Sequence, residues 1–295
     1  MNYEVVIIGG SYAGLSAALP LARARRRVLI IDAGQRRNRF AEHSHNFLTQ
    51  DGRSPNAITE DARAQLKKYS TISWLLETVT DVKATAGKYS VIAGEQQFQA
   101  EKIIIATGLK DELPQIEGLA ERWGKAIYHC PYCDGYELNL GKIGMLASGM
   151  HSLQTALMLP DWGNTTLFLN DAVREDQLDD ELLTKLAQRQ IRIETRKIDH
   201  IEGHCDVVFV DGESIRLDGL FVSTVTRFQS NWIHQLGLEM DCNDYSETIK
   251  TSPTKETNVK GIYACGDVTR SGGSVALSVG DGAMTGIVVH KSLIF

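Results

Sequence analysis

The sequence of 295 residues lacks the features of several protein classes. No stretch approaches the roughly 18 uninterrupted apolar residues that a membrane span requires, so we expect no membrane insertion. The amino-terminal residues show no charged segment, apolar stretch and cleavage site of a secretory signal, and we therefore expect a cytoplasmic location. Basic residues are also scarce, with 31 Lys and Arg against 37 Asp and Glu. This balance argues against a nucleic-acid partner, because phosphate binding needs a concentrated basic face.

Cysteine is sparse and odd in number, with five in the chain. A chain of this size with so few cysteines does not resemble a framework of structural disulfides, so any disulfide is expected to be part of a reaction. Cys205, Cys242 and Cys265 have no partner at a useful spacing. We interpret these three as packing residues.

The first 32 residues have the pattern of a strand, a turn, a helix and a second strand. Five small residues form the core of the turn: Gly9, Gly10, Ser11, Ala13 and Gly14. Such a turn lets a pyrophosphate bind the free amide groups at a helix N-terminus, and Asp32 then reaches a ribose hydroxyl. Ser11 departs from the usual glycine at the middle position. A turn without a ligand is the alternative.

The same plan recurs later in the chain. Gly9 precedes Asp32 by 32 − 9 = 23 positions, and Ala147 precedes Asn170 by 170 − 147 = 23 positions. The second turn, 147–152, keeps one glycine at its three key sites, and Asn170 replaces the acid. Only Arg174 is near enough to contact a 2′-phosphate. NADPH binding is therefore doubtful, and a scaffold without tight nicotinamide binding is favoured. A second flavin is a further alternative.

A Cys-Pro-Tyr-Cys motif precedes the second unit. Two residues between Cys130 and Cys133 let both thiols share one turn and close a small disulfide. Asp134 follows directly and can act as general acid or base for a thiolate, with a helix N-cap as its alternative role. A zinc site would need a second ligand pair of matching spacing. The sequence contains no such pair. His43, His45 and His129 are the histidines that a zinc site would have to recruit instead, and we predict no metal. Inert thiols are the other alternative to a redox pair.

Two further strand ends carry small residues. The apolar segment 102–106 ends in Ala106, Thr107 and Gly108, and a segment near the carboxyl terminus ends in Gly266 and Asp267. Asp267 can cap the final helix, and this is compatible with a ligand role.

Taken in order, the glycine turn, Ala106-Thr107-Gly108, the CxxC-Asp-Gly motif and Gly266-Asp267 resemble the low-molecular-weight thioredoxin reductases over essentially the full length. The CPYCDGYE centre is similar to a subgroup with degraded nicotinamide motifs, which includes dithiol oxidases of epidithio natural products. The resemblance implies an α/β fold with two Rossmann-like (βαβ) nucleotide-binding domains in three layers. The FAD-binding domain would comprise 1–112 and 242–295, and the NAD(P)-binding-like domain, with the CxxC centre, 113–241.

The resemblance also implies roles for these residues. Asp267 would meet the ribityl chain of FAD, Cys133 would face the flavin as the charge-transfer thiolate, Cys130 would exchange with the substrate and Asp134 would shuttle the proton. The substrate would be a thioredoxin-like protein or a small dithiol or disulfide, and the enzyme a homodimer. Three electron donors remain possible. Ferredoxin or weakly bound NADPH would supply electrons for disulfide reduction, whereas a dithiol substrate would supply electrons that pass to oxygen. A flavin-binding sensor without turnover is the alternative of another class.

Overall fold

The computed structural model describes residues 2–85 and 87–295. The chain divides into two compact units. Unit 1 contains the chain up to Arg39 together with Asn46–Asp111 and Thr226–Phe295. Unit 2 contains Phe40–His45 and Glu112–Val225.

The secondary-structure elements follow one another in short segments. The strands are β1 (Asn2–Ile8), β2 (Val28–Asp32), β3 (Ile72–Leu76), β4 (Val79–Thr85), β5 (Lys88–Ala93), β6 (Gln96–Ile105), β7 (Lys110–Glu112), β8 (Ile127–Tyr128), β9 (Leu140–Leu146), β10 (Gly163–Phe168), β11 (Arg192–Glu194), β12 (Ile198–Glu202), β13 (Asp206–Phe209), β14 (Ser214–Arg216), β15 (Gly219–Val222), β16 (Val225–Arg227), β17 (Met240–Cys242), β18 (Glu247–Ile249) and β19 (Ile262–Ala264). The α-helices are α1 (Tyr12–Arg23), α2 (Pro55–Leu66), α3 (Leu119–Arg122), α4 (Pro131–Asp134), α5 (Ser152–Met158), α6 (Asp180–Gln188), α7 (Trp232–Gln235) and α8 (Val275–Ser292). Short 3-10 helices cover Tyr136–Leu138, Leu159–Asp161, Glu175–Gln177 and Gly266–Thr269.

Unit 1 is built on a parallel sheet with β1 at its centre. The order is β3-β2-β1-β6, and β19 continues it on the far edge of β6. The antiparallel hairpin of β4 and β5 joins the same edge of β6 at its other end. Val5, Val6 and Ile7 have no exposed surface, as expected of a parallel strand that is covered on both faces. Because β1, β2, β6 and β19 run in one direction, their carboxyl ends lie at one edge of the sheet.

Unit 2 repeats this design. Its sheet has the order β11-β10-β9-β15-β8, and each neighbouring pair is parallel. The strand, turn and helix predicted around 147–152 correspond to β9, the turn and α5. A separate antiparallel sheet of β12, β13 and β14 completes the unit. The predicted fold class, α/β with two Rossmann-like units, is confirmed.

The point of return to unit 1 differs from the boundary expected from the sequence. The chain re-enters unit 1 at Thr226, whereas the sequence analysis placed the boundary between 241 and 242. Trp232 and Ile233 explain the difference, because they are buried in the same apolar cluster as Val6 and Ile105 of the unit 1 sheet. The expected linker near 242 instead contains part of the β17 and β18 hairpin.

The longest of the described helices is α8, with 18 residues. None of them is both long enough and apolar enough to cross a bilayer.

Candidate active site

The two cysteines of the CPYC motif are joined in a disulfide at the start of a helical turn. Cys130 is the N-cap of α4, and Pro131 occupies its first position. The amide of Cys133 donates to the carbonyl of Cys130 at 3.1 Å, and the two Cα atoms are 5.3 Å apart. The turn therefore brings both sulfurs together without any contribution from distant segments.

Asp134 is the last residue of α4, so it is not the N-cap of that helix. Burial raises the pKa of its carboxyl to about 7, and the negative charge of Glu137 adds to the rise, while His45 opposes it. An acid with this pKa is present in both protonation states near neutral pH. It can therefore give up or take a proton beside the cysteine that precedes it in the chain.

The other cysteines lie in different surroundings. Cys205 and Cys265 are buried, and burial raises the pKa of each thiol to about 12. These two are packing residues, as predicted. Cys242 is exposed, with its Sγ 4.0 Å from Glu247 Oε1, so the prediction that it is a packing residue was wrong. Met240, two positions earlier on β17, packs against the unit 1 core, whereas Cys242 at the end of the strand does not.

The predicted glycine turn of unit 1 links β1 to α1 and leaves no room for side chains. Gly9 has a φ of +105°, and a Cβ there would lie 2.2 Å from the carbonyl oxygen of Ala106. A Cβ on Gly14 would lie 1.9 Å from the carbonyl oxygen of Gly9. The N-cap Ser11 makes no side-chain hydrogen bond to α1, whose first turn contains no acid. The helix therefore presents uncapped amides and the positive end of its dipole, which suits an anion.

Asp32 ends β2 beside this turn. A Cβ on Gly10 would lie 2.8 Å from the Asp32 Cβ, so the two residues are in close contact. The carboxylate accepts a hydrogen bond from Arg63 Nη2 at 2.7 Å. Asp32 thus has its predicted position at the strand end, and Arg63 holds its charge in place.

Ala106, Thr107 and Gly108 follow β6 at the same sheet edge. The Ala106 amide donates to the carbonyl of Ile8 at 2.8 Å, which ties this segment to the end of β1. Gly108 has a φ of +68°, so the chain turns sharply away from the sheet.

Gly266 and Asp267 follow β19 in a 3-10 helix. The Gly266 amide donates to Asp281 Oδ2 at 2.8 Å, and Asp281 is paired with Lys255 at 2.5 Å and with Arg270 at 3.0 Å. Ser274, and not Asp267, caps α8 by accepting from the Leu277 amide.

Asp267 instead belongs to an ion-pair network around Arg37. Arg37 Nη1 donates to Asp267 Oδ2 at 3.0 Å. Its Nε and Nη2 donate to the two carboxylate oxygens of Asp111 at 2.8 and 2.6 Å. All three side chains are largely buried. The Arg37 pKa is raised because both carboxylates outweigh the burial of its charge, so the guanidinium stays protonated.

Sequence reasoning missed Arg37, Asn38 and Arg63. Asn38 Nδ2 donates to the Tyr12 hydroxyl at 3.1 Å, which places Asn38 at the start of α1. Its Oδ1 and the Nε of Arg36 are buried and have no hydrogen-bond partner among the described residues. Buried polar atoms without partners beside a glycine turn fit a polar ligand such as a dinucleotide. In the sequence, the only indication of this part of the site is the basic run Arg36-Arg37-Asn38-Arg39, which begins four positions after Asp32.

The second turn, in unit 2, is filled by its own side chains. Ser148 Oγ donates to the carbonyl of Ser223 and lies 3.3 Å from both His151 Nε2 and Ser152 Oγ. The Ser148 amide donates to Ser152 Oγ at 3.0 Å, so one of the amides of this turn is already paired. Ser152 is completely buried.

The predicted ribose position of unit 2 is also engaged in the fold. Asn170 Oδ1 accepts from the Ile198 amide at 2.8 Å. Arg174 donates to both carboxylate oxygens of Asp176 at 2.9 and 3.0 Å. Asn170 is thus fixed by the backbone, whereas the Arg174–Asp176 pair is exposed and of a kind that contributes little energy, so Arg174 is not committed to it.

The part of the chain that the structure describes contains no candidate set of metal ligands. No group of three or more His, Cys, Asp or Glu residues there converges on a common point. His43 and His45 have ring centroids 6.3 Å apart, and the ring of His129 lies 5.9 Å from that of Trp123.

Comparisons with known proteins identify the family. Residues 3–282 match the model of the pyridine nucleotide-disulphide oxidoreductases. The chain is 31% identical over 309 aligned positions to thioredoxin reductase sirT of Leptosphaeria maculans, which covers 98% of this chain and 93% of the relative. Among solved structures, an oxidoreductase from Agrobacterium tumefaciens is similar with a TM-score of 0.97 and 51% identity over 100% of this chain and 99% of that chain. HlmI is similar with a TM-score of 0.93 and 30% identity over 99% and 93%. The chain therefore belongs to the pyridine nucleotide-disulphide oxidoreductase family, as a thioredoxin reductase-like flavoprotein disulfide oxidoreductase whose cofactor is FAD.

Proposed function

We propose that this flavoprotein passes electrons between FAD and the Cys130–Cys133 pair, and that the pair exchanges with a thioredoxin-like protein or a small disulfide. The observation that carries the proposal is the Cys130–Cys133 disulfide at the start of α4, followed directly by the half-buried acid Asp134. A disulfide that closes so small a loop contributes little to stability, so a redox role accounts for it better.

The cofactor would be held at the carboxyl edge of the unit 1 sheet. The residues that we assign to this site are Gly9, Gly10, Ser11, Ala13, Gly14, Asp32, Ala106, Thr107, Gly108, Gly266 and Asp267. The amides at the start of α1 suit the pyrophosphate, and the Asp32 carboxylate suits a ribose hydroxyl. When bound, FAD supplies a carrier that accepts or donates two electrons at once.

The reaction at the cysteines is thiol–disulfide exchange. In the reduced pair the Cys130 thiolate attacks one sulfur of the substrate disulfide, the substrate S–S bond breaks and the leaving sulfur takes a proton from Asp134. The Cys133 thiolate then attacks Cys130, which releases the second substrate thiolate and forms the Cys130–Cys133 disulfide. Asp134 is suited to this transfer because its pKa of about 7 keeps both of its forms populated.

The electron donor would not be NADPH held in the usual way. In unit 2 the side chains of Ser148 and Ser152 fill the turn that would receive a pyrophosphate, and Asn170 is bonded to the backbone. A phosphate would have to break these hydrogen bonds before it could bind. A protein donor such as ferredoxin, or a weakly bound NADPH, is therefore favoured over a tight nicotinamide complex.

The closed turn of unit 2 also favours a second candidate, an oxygen-dependent dithiol oxidase. Such an enzyme needs no nicotinamide, because the dithiol substrate itself supplies two electrons. Its two thiols form a disulfide, and oxygen takes the electron pair and two protons to give hydrogen peroxide. The same residues, Cys130, Cys133 and Asp134, would act in the reverse order.

A second copy of the chain would pack on the exposed face of α8, as part of a homodimer. Leu277, Met284 and Ile287 are each 44 to 50% exposed, and their spacing of seven and three positions places them on one face of this helix. Replacing Met284 and Ile287 with lysine should convert the dimer to a monomer in light-scattering measurements. Wild-type protein that is already monomeric at micromolar concentration would contradict this proposal.

Anaerobic mixing tests the function. Purified protein with FAD is mixed with NADPH or with dithiothreitol, and bleaching of the flavin absorbance is followed. We expect rapid bleaching by the dithiol and slow bleaching by NADPH. Cys130→Ser should abolish the reaction with the dithiol, whereas Cys242→Ser, which removes an exposed cysteine outside the disulfide, should leave it unchanged. Rapid bleaching by NADPH would contradict the proposed donor.

Readmitting oxygen separates the two candidates. An oxidase reoxidises its flavin rapidly and accumulates one hydrogen peroxide for each disulfide formed. A reductase reoxidises slowly in oxygen but rapidly when a substrate disulfide such as oxidised thioredoxin is added.

A further inference from the structure

A buried carboxylate on α8 holds the turn that follows β19. The side chain of Asp281 is 5% exposed, and its Oδ2 accepts a hydrogen bond from the Gly266 amide at 2.8 Å. The same oxygen lies 3.4 Å from Thr269 Oγ1, which is also 2.9 Å from the carbonyl oxygen of Gly266. One carboxylate oxygen therefore contacts both ends of the 3-10 helix Gly266–Thr269.

The other oxygen of Asp281 is anchored by two cations. Its Oδ1 accepts from Lys255 Nζ at 2.5 Å and from Arg270 Nη2 at 3.0 Å. Lys255 has a φ of +64°, a backbone conformation that a side chain other than glycine adopts only where neighbouring contacts hold it. Its carbonyl accepts from the amide of Ala264 on β19 at 3.1 Å. Asp281 thus joins the turn before β19, the turn after it and α8.

Gly266 has no space to move away from Asp281, because it lies against the start of α1. Its φ is +79°, and a Cβ there would lie 2.8 Å from the Cβ of Ala13. Gly282, the neighbour of Asp281 on α8, packs against the same residue, and a Cβ on it would lie 2.1 Å from the carbonyl oxygen of Ala13. Gly266 is therefore fixed between Asp281 and the first turn of α1.

The residue that this arrangement fixes next is Asp267, which we assign to the cofactor site. Asp281 holds the backbone on both sides of it, through Gly266 before it and Arg270 after it, and the Arg270 amide donates to the Asp267 carbonyl at 3.2 Å. Ser278, which is also on α8, donates from Oγ to Asp267 Oδ1 at 3.3 Å. The placement of Asp267 thus depends on side chains of α8 that lie outside the glycine-acid motif.

We propose that Asp281 is a positioning residue for the flavin half of FAD, and that it acts through Gly266 and Asp267. This inference rests on the cofactor site proposed above. The adenosine and pyrophosphate half is assigned instead to the amides of α1 and to Asp32. The two halves of the cofactor can therefore be tested separately.

The test compares FAD with ADP, which lacks the ribityl chain and the flavin ring. Full-length protein freed of flavin is titrated with FAD by flavin fluorescence and with ADP by calorimetry. Asp281→Asn keeps the size of the side chain but removes the charge that anchors Lys255 and Arg270. Because charged hydrogen bonds are lost, the dissociation constant of FAD should rise at least about tenfold, while that of ADP stays within about twofold. The visible circular dichroism of the remaining bound flavin should also change.

A milder variant and a control accompany this change. Thr269→Val removes only the hydroxyl that Asp281 and Gly266 share, and it should weaken FAD about three- to tenfold without affecting ADP. Glu194→Gln removes a carboxylate of unit 2 that is 14% exposed and paired with Arg196 at 2.8 Å. It should reduce resistance to urea but leave both dissociation constants unchanged.

Equal losses of affinity for FAD and ADP would indicate general damage to unit 1 and would overturn the inference. Unchanged FAD affinity in Asp281→Asn would overturn it as well. If Asp281→Asn does not fold, the ratio of the two affinities in Thr269→Val decides. Wild-type protein that binds ADP but no FAD, or neither, would overturn the proposed cofactor site, and with it this inference.

Discussion

Arg37 forms an ion pair with Asp267, with 3.0 Å between Nη1 and Oδ2, although the two residues are 230 positions apart in the sequence. The same guanidinium binds both oxygens of Asp111. One arginine thus joins the loop after β2 to two acids, one of which follows the last strand of the unit 1 sheet. Since Asp267 is assigned to the flavin site, its orientation depends on a residue outside every recognised motif.

Arg37→Gln should weaken FAD binding and lower stability. The change leaves two largely buried carboxylates without their cation, which costs about 3 kcal/mol of unfolding free energy. A disordered Asp267 should raise the dissociation constant of FAD about tenfold, the equivalent of one lost charged hydrogen bond. Denaturant unfolding and flavin fluorescence titration measure the two effects. Arg189→Gln, which removes an exposed ion pair to Asp161, is the matched control and should change neither. Unchanged FAD affinity in Arg37→Gln would remove Arg37 from the site.

Gly14→Ala should prevent FAD binding. Its Cβ would lie 1.9 Å from the carbonyl oxygen of Gly9, so the turn must open and the amides at the start of α1 must move. We expect purified protein with less than about a tenth of the wild-type flavin content, since overpacking of this kind costs about 1–3 kcal/mol or more. Gly280→Ala, at a helical position with open space around the added carbon, should keep its flavin. Flavin content is measured by absorbance after gel filtration.

Asp134→Asn should stabilise the oxidised protein at alkaline pH. The pKa of Asp134 is raised from 3.8 to about 7 in the folded state, so the folded protein binds this proton more tightly than the unfolded chain. The stabilisation is present below about pH 4 and is lost as the pH rises through 7. At pH 8 the asparagine variant should therefore exceed the wild type by about 2–4 kcal/mol, and near pH 4 the two should be similar. Urea unfolding at both pH values decides this, and equal stability at pH 8 would contradict the raised pKa.

Asn170→Ala should reduce stability without affecting nicotinamide kinetics. Its Oδ1 is the partner of the Ile198 amide, and a lost hydrogen bond to a partly buried amide costs about 1–3 kcal/mol. If Asn170 has this structural role alone, the slow bleaching of the flavin by NADPH should be unaltered. A selective rise in the Michaelis constant for NADPH would instead assign Asn170 to a nucleotide site.

The local parts of the site were predictable from the sequence. The spacing of 23 positions is shared by the two units, and the structure has β1, α1 and β2 in one unit and β9, α5 and β10 in the other. The helices themselves differ in length, since α1 has 12 residues and α5 has 7, with a 3-10 helix after it. The turn of the CPYC motif is equally local, because the hydrogen bond from Cys133 to Cys130 spans three residues.

The long-range parts were not predictable. Arg37 and Asp267 belong to segments with no shared periodicity, and nothing in either segment indicates that they meet. The same holds for His45, which reaches Glu137 from a short loop segment. The return to unit 1 was misplaced for a related reason. Trp232 and Ile233 are apolar in either unit, and only the packed core shows which one they fill.

The burial of Cys205 and Cys265 has a consequence for oxidative damage. With a pKa of about 12, each thiol is almost entirely protonated at neutral pH and therefore a poor nucleophile. Neither can capture a sulfur from a mixed disulfide formed at Cys130, so scrambling into wrong internal pairings is suppressed. The peroxide that the candidate dithiol oxidase would form should likewise leave both side chains intact, because oxidation requires the thiolate.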